Sequence, residues 1–231
     1  MTTLILVRHG QASFAARNYD KLSPLGERQG SIIGRHWARL GFKADAAYCG
    51  LMERQRETGR LAFEAQGVQQ DIAVNAAFDE YNHQELIRSY APLIAREHPE
   101  FALHTRDLLG DRQKFQGFFE KVIAAWLTGR SADAPLTETW EQFRDRCVAG
   151  LRAVTPRDVD TAVVFTSGGV ITIALQEALK LDSAAAFQAN WGIYNGSVHR
   201  FNVGKRGLSL LGFNNVTHFE LENDPSLLTF R

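Results

Sequence analysis

The sequence predicts a three-layer α/β/α fold around a mostly parallel mixed sheet, interrupted by a helical insertion. Three observations lead there. Leu4-Ile5-Leu6-Val7 and the run from Thr161 to Phe165 are apolar without polar alternation, as strands buried on both faces read. Each ends in a polar or glycine-rich turn and leads toward a helical pattern, the order expected of a parallel α/β sheet. Near the end of the chain, Ser197 to Val203 and Leu208 to Phe213 have strand character, and Gly204-Lys205-Arg206-Gly207 between them reads as a hairpin turn.

Taken in order, the first strand runs straight into Arg8-His9-Gly10-Gln11-Ala12. This is a polar loop at the carboxyl end of a parallel strand, where α/β proteins place ligands. Ser23-Pro24 opens a helix, with the serine as cap and the proline at the first helical position. Leu25, Ile32, Ile33, Trp37 and Leu40 give that helix its apolar stripe, and Gly41 its stop. A short strand near Ala46 to Cys49 precedes a helix over roughly Met52 to Ala65, and Ile72 to Phe78 reads as the next strand. From about 83 to 155 the pattern is helical, in the stretches Gln84 to His98, Asp111 to Leu127 and Thr137 to Val154. Phe115, Phe118, Phe119, Val122, Ile123 and Trp126 recur there at helical spacing, either as core or as the lining of a substrate entrance. After the strand ending at Phe165 comes Thr166-Ser167-Gly168-Gly169 and a helix through Ile171, Leu175 and Leu179. The reading is one domain over 1–231 carrying a helical insertion at about 83–155.

Composition limits the function classes. Lys plus Arg and Asp plus Glu number 26 each, giving zero formal net charge, so no nucleic-acid or acidic-membrane partner is expected. Zero net charge removes colloidal repulsion and permits self-association, such as a homodimer. The two cysteines, Cys49 and Cys147, match no metal or redox spacing and suit a reducing compartment. No leader and no apolar run of membrane-spanning length are visible, so the expected location is the cytoplasm. The histidines show no compact ligand spacing and no G-x-G-x-x-G follows the first strand, so neither a metal nor a cofactor is expected.

Arg8-His9-Gly10 puts a cation and an imidazole at a strand end. Imidazole is a nucleophile when one ring nitrogen is free and the other donates to an acceptor. Arginine's rigid fork of donors matches phosphoryl oxygens, and Gly10 permits a tight turn and a close ligand. On spacing alone the tripeptide reads either as a phosphate site or as an ordinary polar turn.

The segment from Leu4 to Gln11 resembles the N-terminal signature of the histidine phosphatase superfamily, also called phosphoglycerate-mutase-like. Asn18 to Gly26 with Gln29 is similar to that family's second stretch. Cys49 to Thr58 resembles the segment carrying its second phosphate-binding arginine, with Gly50 and Gln55 where the family usually has serine and alanine. Phe78-Asp79-Glu80 resembles the stretch bearing its acid/base glutamate, and Val163 to Ile171 its last signature. Asn195 to Val198 resembles the opening of its last strand.

The resemblance implies phosphomonoester hydrolysis through a phosphohistidine on His9, without a metal. Glu80 would be the acid and base, and Arg8, Arg54, Ser167 and Gly168 would bind phosphate. Arg54 is selected over Arg56 because the family's arginine lies four residues before a threonine, here Thr58. Gln11, Asn18, Tyr81 and His83 are further candidates for substrate contact. The substrate would be a phosphorylated small molecule or a phosphorylated side chain. By the same resemblance Ser167 stands where the family carries a histidine that donates to a phosphoryl oxygen. Its hydroxyl would be a neutral replacement that also caps the helix, and Ser167→His should then raise turnover. His199 and His218 are candidate spatial stand-ins for the imidazole. The alternative function is a weakened phosphate-binding or regulatory protein. A phosphoglycerate-mutase-type phosphotransferase fits less well, because Ala12-Ser13-Phe14 and Glu80-Tyr81-Asn82 do not reproduce the mutase motifs.

Overall fold

The structure, a computed structural model, describes residues 2–13, 20–101, 112–154 and 158–230. Its sheet holds six strands in the order β3-β2-β4-β1-β5-β6. These are β1 (Thr2–Arg8), β2 (Ala46–Cys49), β3 (Ile72–Val74), β4 (Thr161–Thr166), β5 (Val198–Gly204) and β6 (Gly207–Asn215). The first four run parallel, and β5 and β6 add antiparallel. The helices are α1 (Pro24–Arg39), α2 (Glu53–Gln66), α3 (His83–Glu97), α4 (Arg112–Leu127), α5 (Trp140–Ala153), α6 (Gly168–Leu179), α7 (Ser183–Asn190) and α8 (Thr217–Glu220). The architecture is the three-layer α/β/α arrangement with a mixed, mostly parallel sheet.

The chain divides into two compact units, residues 1–80 with 146–231, and residues 81–145. In the first unit, strand alternation sorts side chains between the two faces of the sheet. Ile5, Val7, Ala47, Cys49, Val163 and Phe165 meet Ile33 and Trp37 of α1 and Ala62 and Phe63 of α2 in one core. The Trp37, Phe63 and Phe165 rings contact one another, Phe63 edge-on to Phe165 at 5.7 Å. Leu4, Leu6, Ala162 and Val164 alternate with them and are fully buried as well, which is why both runs lack polar residues.

The helix ends follow local chemistry. The Ser23 hydroxyl accepts from the Gly26 N–H at 3.0 Å, and Gly41 takes φ +61° just past α1. Leu40, assigned above to the apolar stripe, lies beyond the last turn of α1 and is exposed. The expected strand to Phe78 stops at Val74. The Asn75 carboxamide accepts the Ala77 N–H at 2.9 Å and starts a 3₁₀ turn over Ala76–Phe78 instead. The hairpin between β5 and β6 turns through Lys205-Arg206, with Gly207 at φ +100°. Cys49 and Cys147 are buried and form no disulfide, and burial pushes the Cys49 thiol up to about 11.

The second unit contains α3, α4 and the start of α5. Its core is aromatic. Trp126 lies 5.1 Å from Tyr81, 5.3 Å from Trp140 and 5.6 Å from Phe143. The stripe on α4 is core: Phe118, Phe119, Val122, Ile123 and Trp126 are all buried. Arg96 pairs with Asp133 at 2.9 Å, and Arg130 pairs with Glu97.

In the first unit, α1 and α2 approach so closely that a Cβ on Gly34 would overlap the Ala62 carbonyl oxygen. Gly34→Ala should therefore destabilise the protein by about 1–3 kcal/mol despite alanine's better helix propensity. Urea unfolding measures this, and an unchanged or higher midpoint would contradict the close packing.

Candidate active site

β1 and β4 pair in register up to Arg8↔Thr166, so the next residues, His9 and Ser167, leave the sheet side by side. The His9 N–H donates to the Thr166 carbonyl at 2.9 Å. From the other side, the Gly196 N–H reaches the Arg8 and His9 carbonyls, and the Asn195 amide donates to the His9 carbonyl at 3.3 Å. The loop is thus held through its backbone groups, one of them by the Asn195 side chain. Gly10 is required because a Cβ there would overlap the Gly26 carbonyl oxygen. The Gly10 N–H donates to Thr58 Oγ1 at 3.0 Å, and that hydroxyl donates to the Arg54 carbonyl at 2.7 Å.

His9 is buried with both ring nitrogens engaged. Nδ1 lies 2.7 Å from the Gly10 carbonyl, which can only accept, so Nδ1 carries the proton. Nε2 then keeps its lone pair, and the Arg54 Nε–H donates to it at 3.1 Å. Burial, and then the positive charges of Arg54 and Arg8, hold the imidazole well below its ordinary value, although the Gly10 bond opposes this. The ring is therefore neutral at pH 7, with Nε2 unprotonated.

Arg54 is buried, whereas Arg56 on the same helix is exposed. Asp20 holds the guanidinium of Arg54 at 2.8 Å through one oxygen and accepts the Glu53 N–H at 2.7 Å through the other. Asp20 thereby orients Arg54 and satisfies the start of α2, whose Met52 cap has no side-chain bond. The guanidinium of Arg8 donates to the Ile193 carbonyl and, at 3.0 Å, to the Phe230 carbonyl. A Cβ on Gly168 would stand 3.9 Å from Arg8 Nε, which places the start of α6 beside that guanidinium.

Both oxygens of Glu80 accept the Gly169 N–H at 3.1 Å, so this carboxylate sits at the positive end of α6. Ser167 occupies the cap position of α6 but makes no side-chain capping bond. Its hydroxyl is fully buried and accepts instead from the Gln55 side-chain amide at 2.8 Å. The expectation that Ser167 caps the helix is thus corrected: Gln55 has taken the hydroxyl.

The first unit thus brings together Arg8, His9, Arg54, Glu80, Ser167 and Gly168. Gln11 follows on the same loop, but its side-chain oxygen accepts from the Ser23 hydroxyl at 2.8 Å. Tyr81 and His83 belong to the second unit. The Tyr81 ring packs against Trp126 and Phe143, and His83 opens α3. Asn18 lies outside the described residues. Both candidate stand-in histidines are engaged elsewhere in the fold. His199 Nδ1 accepts the Asn214 N–H at 3.1 Å while its Nε2 faces the Ser197 hydroxyl at 2.9 Å. His218 is buried, with Nε2 3.0 Å from the Gly196 carbonyl and its ring against Phe219. Sequence reasoning passed over Asp20 and noted Gln55 only as a departure from the family's usual alanine. Both stood inside recognised stretches, but only the folded chain shows what they hold.

The model of the histidine phosphatase superfamily, branch 1, matches residues 4–120 and 107–216. The chain belongs to the histidine phosphatase superfamily. No curated protein matches it in sequence. Solved structures of similar fold include the following three, all at low identity. The phosphoserine phosphatase of Entamoeba histolytica, in complex with 3-phosphoglyceric acid, aligns with a TM-score of 0.62 and 15% identity, covering 94% of this chain and 99% of its own. The phosphoglycerate mutase of Bacillus anthracis gives 0.64 and 16%, covering 96% and 97%. The α-ribazole phosphatase of Shigella flexneri gives 0.62 and 15%, covering 93% and 96%. At such identities they share the fold with this histidine phosphatase relative. Among the described residues, no group of three or more His, Cys, Asp or Glu is placed to hold a metal, and no helix is long and apolar enough to cross a membrane.

The buried histidines make stability depend on pH. Burial lowers His199 to about 3 and His218 to about 4, and His9 is lowered as well. The unfolded chain binds protons on these rings below about pH 6.5 while the folded chain does not, so stability falls as pH drops from 6.5 toward the folded values. Each ring contributes a slope of about 1.4 kcal/mol per pH unit. Denaturant midpoints measured between pH 7 and 4 should fall, and His199→Gln should flatten the fall by about one proton. A folded His199→Gln protein with the wild-type slope would contradict this assignment.

Proposed function

We propose that this protein hydrolyses phosphomonoesters through a phosphohistidine formed on His9. One observation carries the reading: His9 is a neutral imidazole whose unprotonated Nε2 is turned toward a buried arginine. A phosphoryl group entering here would replace the contact between Arg54 and Nε2. Its oxygens would take guanidinium donors from Arg54 and Arg8 and amide donors at the start of α6, where Ser167 and Gly168 lie. Nε2 attacks phosphorus, the ester P–O bond breaks, and the leaving oxygen takes a proton from the Glu80 carboxyl. Glu80, then ionised, accepts a proton from water as water attacks the phosphohistidine. This releases inorganic phosphate and regenerates the free imidazole.

The substrate would be a phosphorylated small molecule or side chain. Among the similar folds, the Entamoeba histolytica protein is in complex with 3-phosphoglyceric acid and the Shigella flexneri protein is named an α-ribazole phosphatase. On this reading Ser167 takes the place of the family's second histidine as a neutral donor. A phosphate-binding protein with little turnover is the rival reading, favoured by the hydroxyl at 167. A protein that only binds needs the arginines, yet here the ring of His9 is also fixed in one tautomer.

Turnover of a chromogenic phosphomonoester in excess chelator is the direct test. His9→Ala should abolish it, and Glu80→Gln should lower kcat by about 100-fold or more. Tight phosphate binding without turnover across a broad panel of phosphomonoesters would sink the hydrolase reading in favour of the binder. The expectation for Ser167→His is also revised. The Gln55 amide lies 2.8 Å from the Ser167 hydroxyl, so an imidazole at 167 has to displace it. Ser167→His alone should not raise turnover, and pairing it with Gln55→Ala should give a faster enzyme than Ser167→His alone.

A further inference from the structure

Gln55 is a fully buried carboxamide on α2, next to Arg54 in sequence. Its Nε2 donates twice, to the Phe78 carbonyl at 2.9 Å and to the Ser167 hydroxyl at 2.8 Å. Its Oε1 is buried with no hydrogen-bond partner, and a Cβ on Gly50 would overlap that oxygen. Glycine at 50 thus leaves the room that the carboxamide occupies.

The orientation of this amide follows from the backbone. The Phe78 carbonyl can only accept, and it already accepts from Thr166 Oγ1 at 2.8 Å. Turning the carboxamide over would set Oε1 against that carbonyl, oxygen to oxygen. The amide group must therefore face Phe78, and the orphaned Oε1 is the consequence. Because the same nitrogen reaches Ser167, the serine oxygen is an acceptor in that bond, and its own proton has to point to a third group. Ser167 stands at the start of α6, side by side with His9 across the β1–β4 pair.

We propose that Gln55 is a positioning residue that fixes Ser167 as a hydrogen-bond donor to a phosphoryl oxygen. This inference rests on the phosphatase reading given above. Gln55 does not touch the substrate. It removes the alternative in which the serine proton turns inward to the protein, so the donor is aimed before the phosphoryl group arrives.

A double-mutant cycle tests it, with kcat and KM for a chromogenic phosphomonoester and inhibition by vanadate measured for each protein. Gln55→Leu and Ser167→Ala should each lower kcat by about tenfold with little change in KM, and the double variant should be no slower than Ser167→Ala alone. Vanadate should bind about tenfold more weakly to either single variant. Gln55→Met is the longer apolar replacement if Gln55→Leu does not fold. Losses that multiply in the double variant, or a Gln55 variant with wild-type kcat and vanadate affinity, would overturn the inference. His9→Ala separates the two claims. If it keeps full turnover, the phosphatase reading fails, while the cycle measured on vanadate affinity still decides the role of Gln55.

Discussion

The site depends on the parallel pairing of β1 with β4. Their register brings Arg8 opposite Thr166, so the chain leaves both strands at the same level of the sheet. The bond from the His9 N–H to the Thr166 carbonyl continues that ladder by one step beyond the strands. Because strand side chains alternate, a slip of one residue would send Ile5, Val7, Val163 and Phe165 to the wrong face. The core with Trp37 and Phe63 prevents that slip. The hydrophobic core thus sets the position of the polar loops by fixing a register.

Once the loop is fixed, the chemistry of His9 follows from what surrounds it. A carbonyl at Nδ1 selects the tautomer and a guanidinium N–H at Nε2 reinforces it. Burial and two nearby positive charges oppose protonation of the ring. The arginines are themselves held: Arg54 by Asp20, and Arg8 by carbonyls of the segment before β5 and of the C-terminal stretch. Glu80 rests on the amide at the start of α6. On the proposed reading, donors for an anion stand on strand ends and helix starts, and a phosphoryl group has to displace the contact between Arg54 and Nε2 to reach them.

Much of the fold was legible in sequence because β1 and β4 are short apolar runs and α1 carries its own cap and stop. The strand expected to reach Phe78 was misread because hydrophobicity continues through Ala76-Ala77-Phe78, while the Asn75 side chain redirects the backbone. The short helices α7 and α8 left no clear period to read. In the site, Arg8, His9, Arg54 and Glu80 were legible because they stand in ordered motifs. Gly10 was read as permitting a close ligand, yet its immediate reason is the backbone of Gly26 packed against it. Asp20 and Gln55 were not legible, since each acts on a partner tens of residues away and nothing in local spacing marks that contact.

On the proposed reading, Ser167 is a donor set without charge. A hydroxyl brings no charge to the pocket, so the neutrality of His9 is set by burial and the arginines. A hydroxyl also rotates freely, and left alone it would donate to whichever acceptor was nearest. The chain of bonds from Thr166 to the Phe78 carbonyl, from Gln55 to that same carbonyl, and from Gln55 to Ser167 makes the hydroxyl an acceptor on the Gln55 side. Its anchor is a backbone carbonyl, which cannot switch roles. On the positioning role proposed for Gln55, the direction of the serine proton follows from the 3₁₀ turn that ends at Phe78, which begins where the Asn75 side chain stops the third strand.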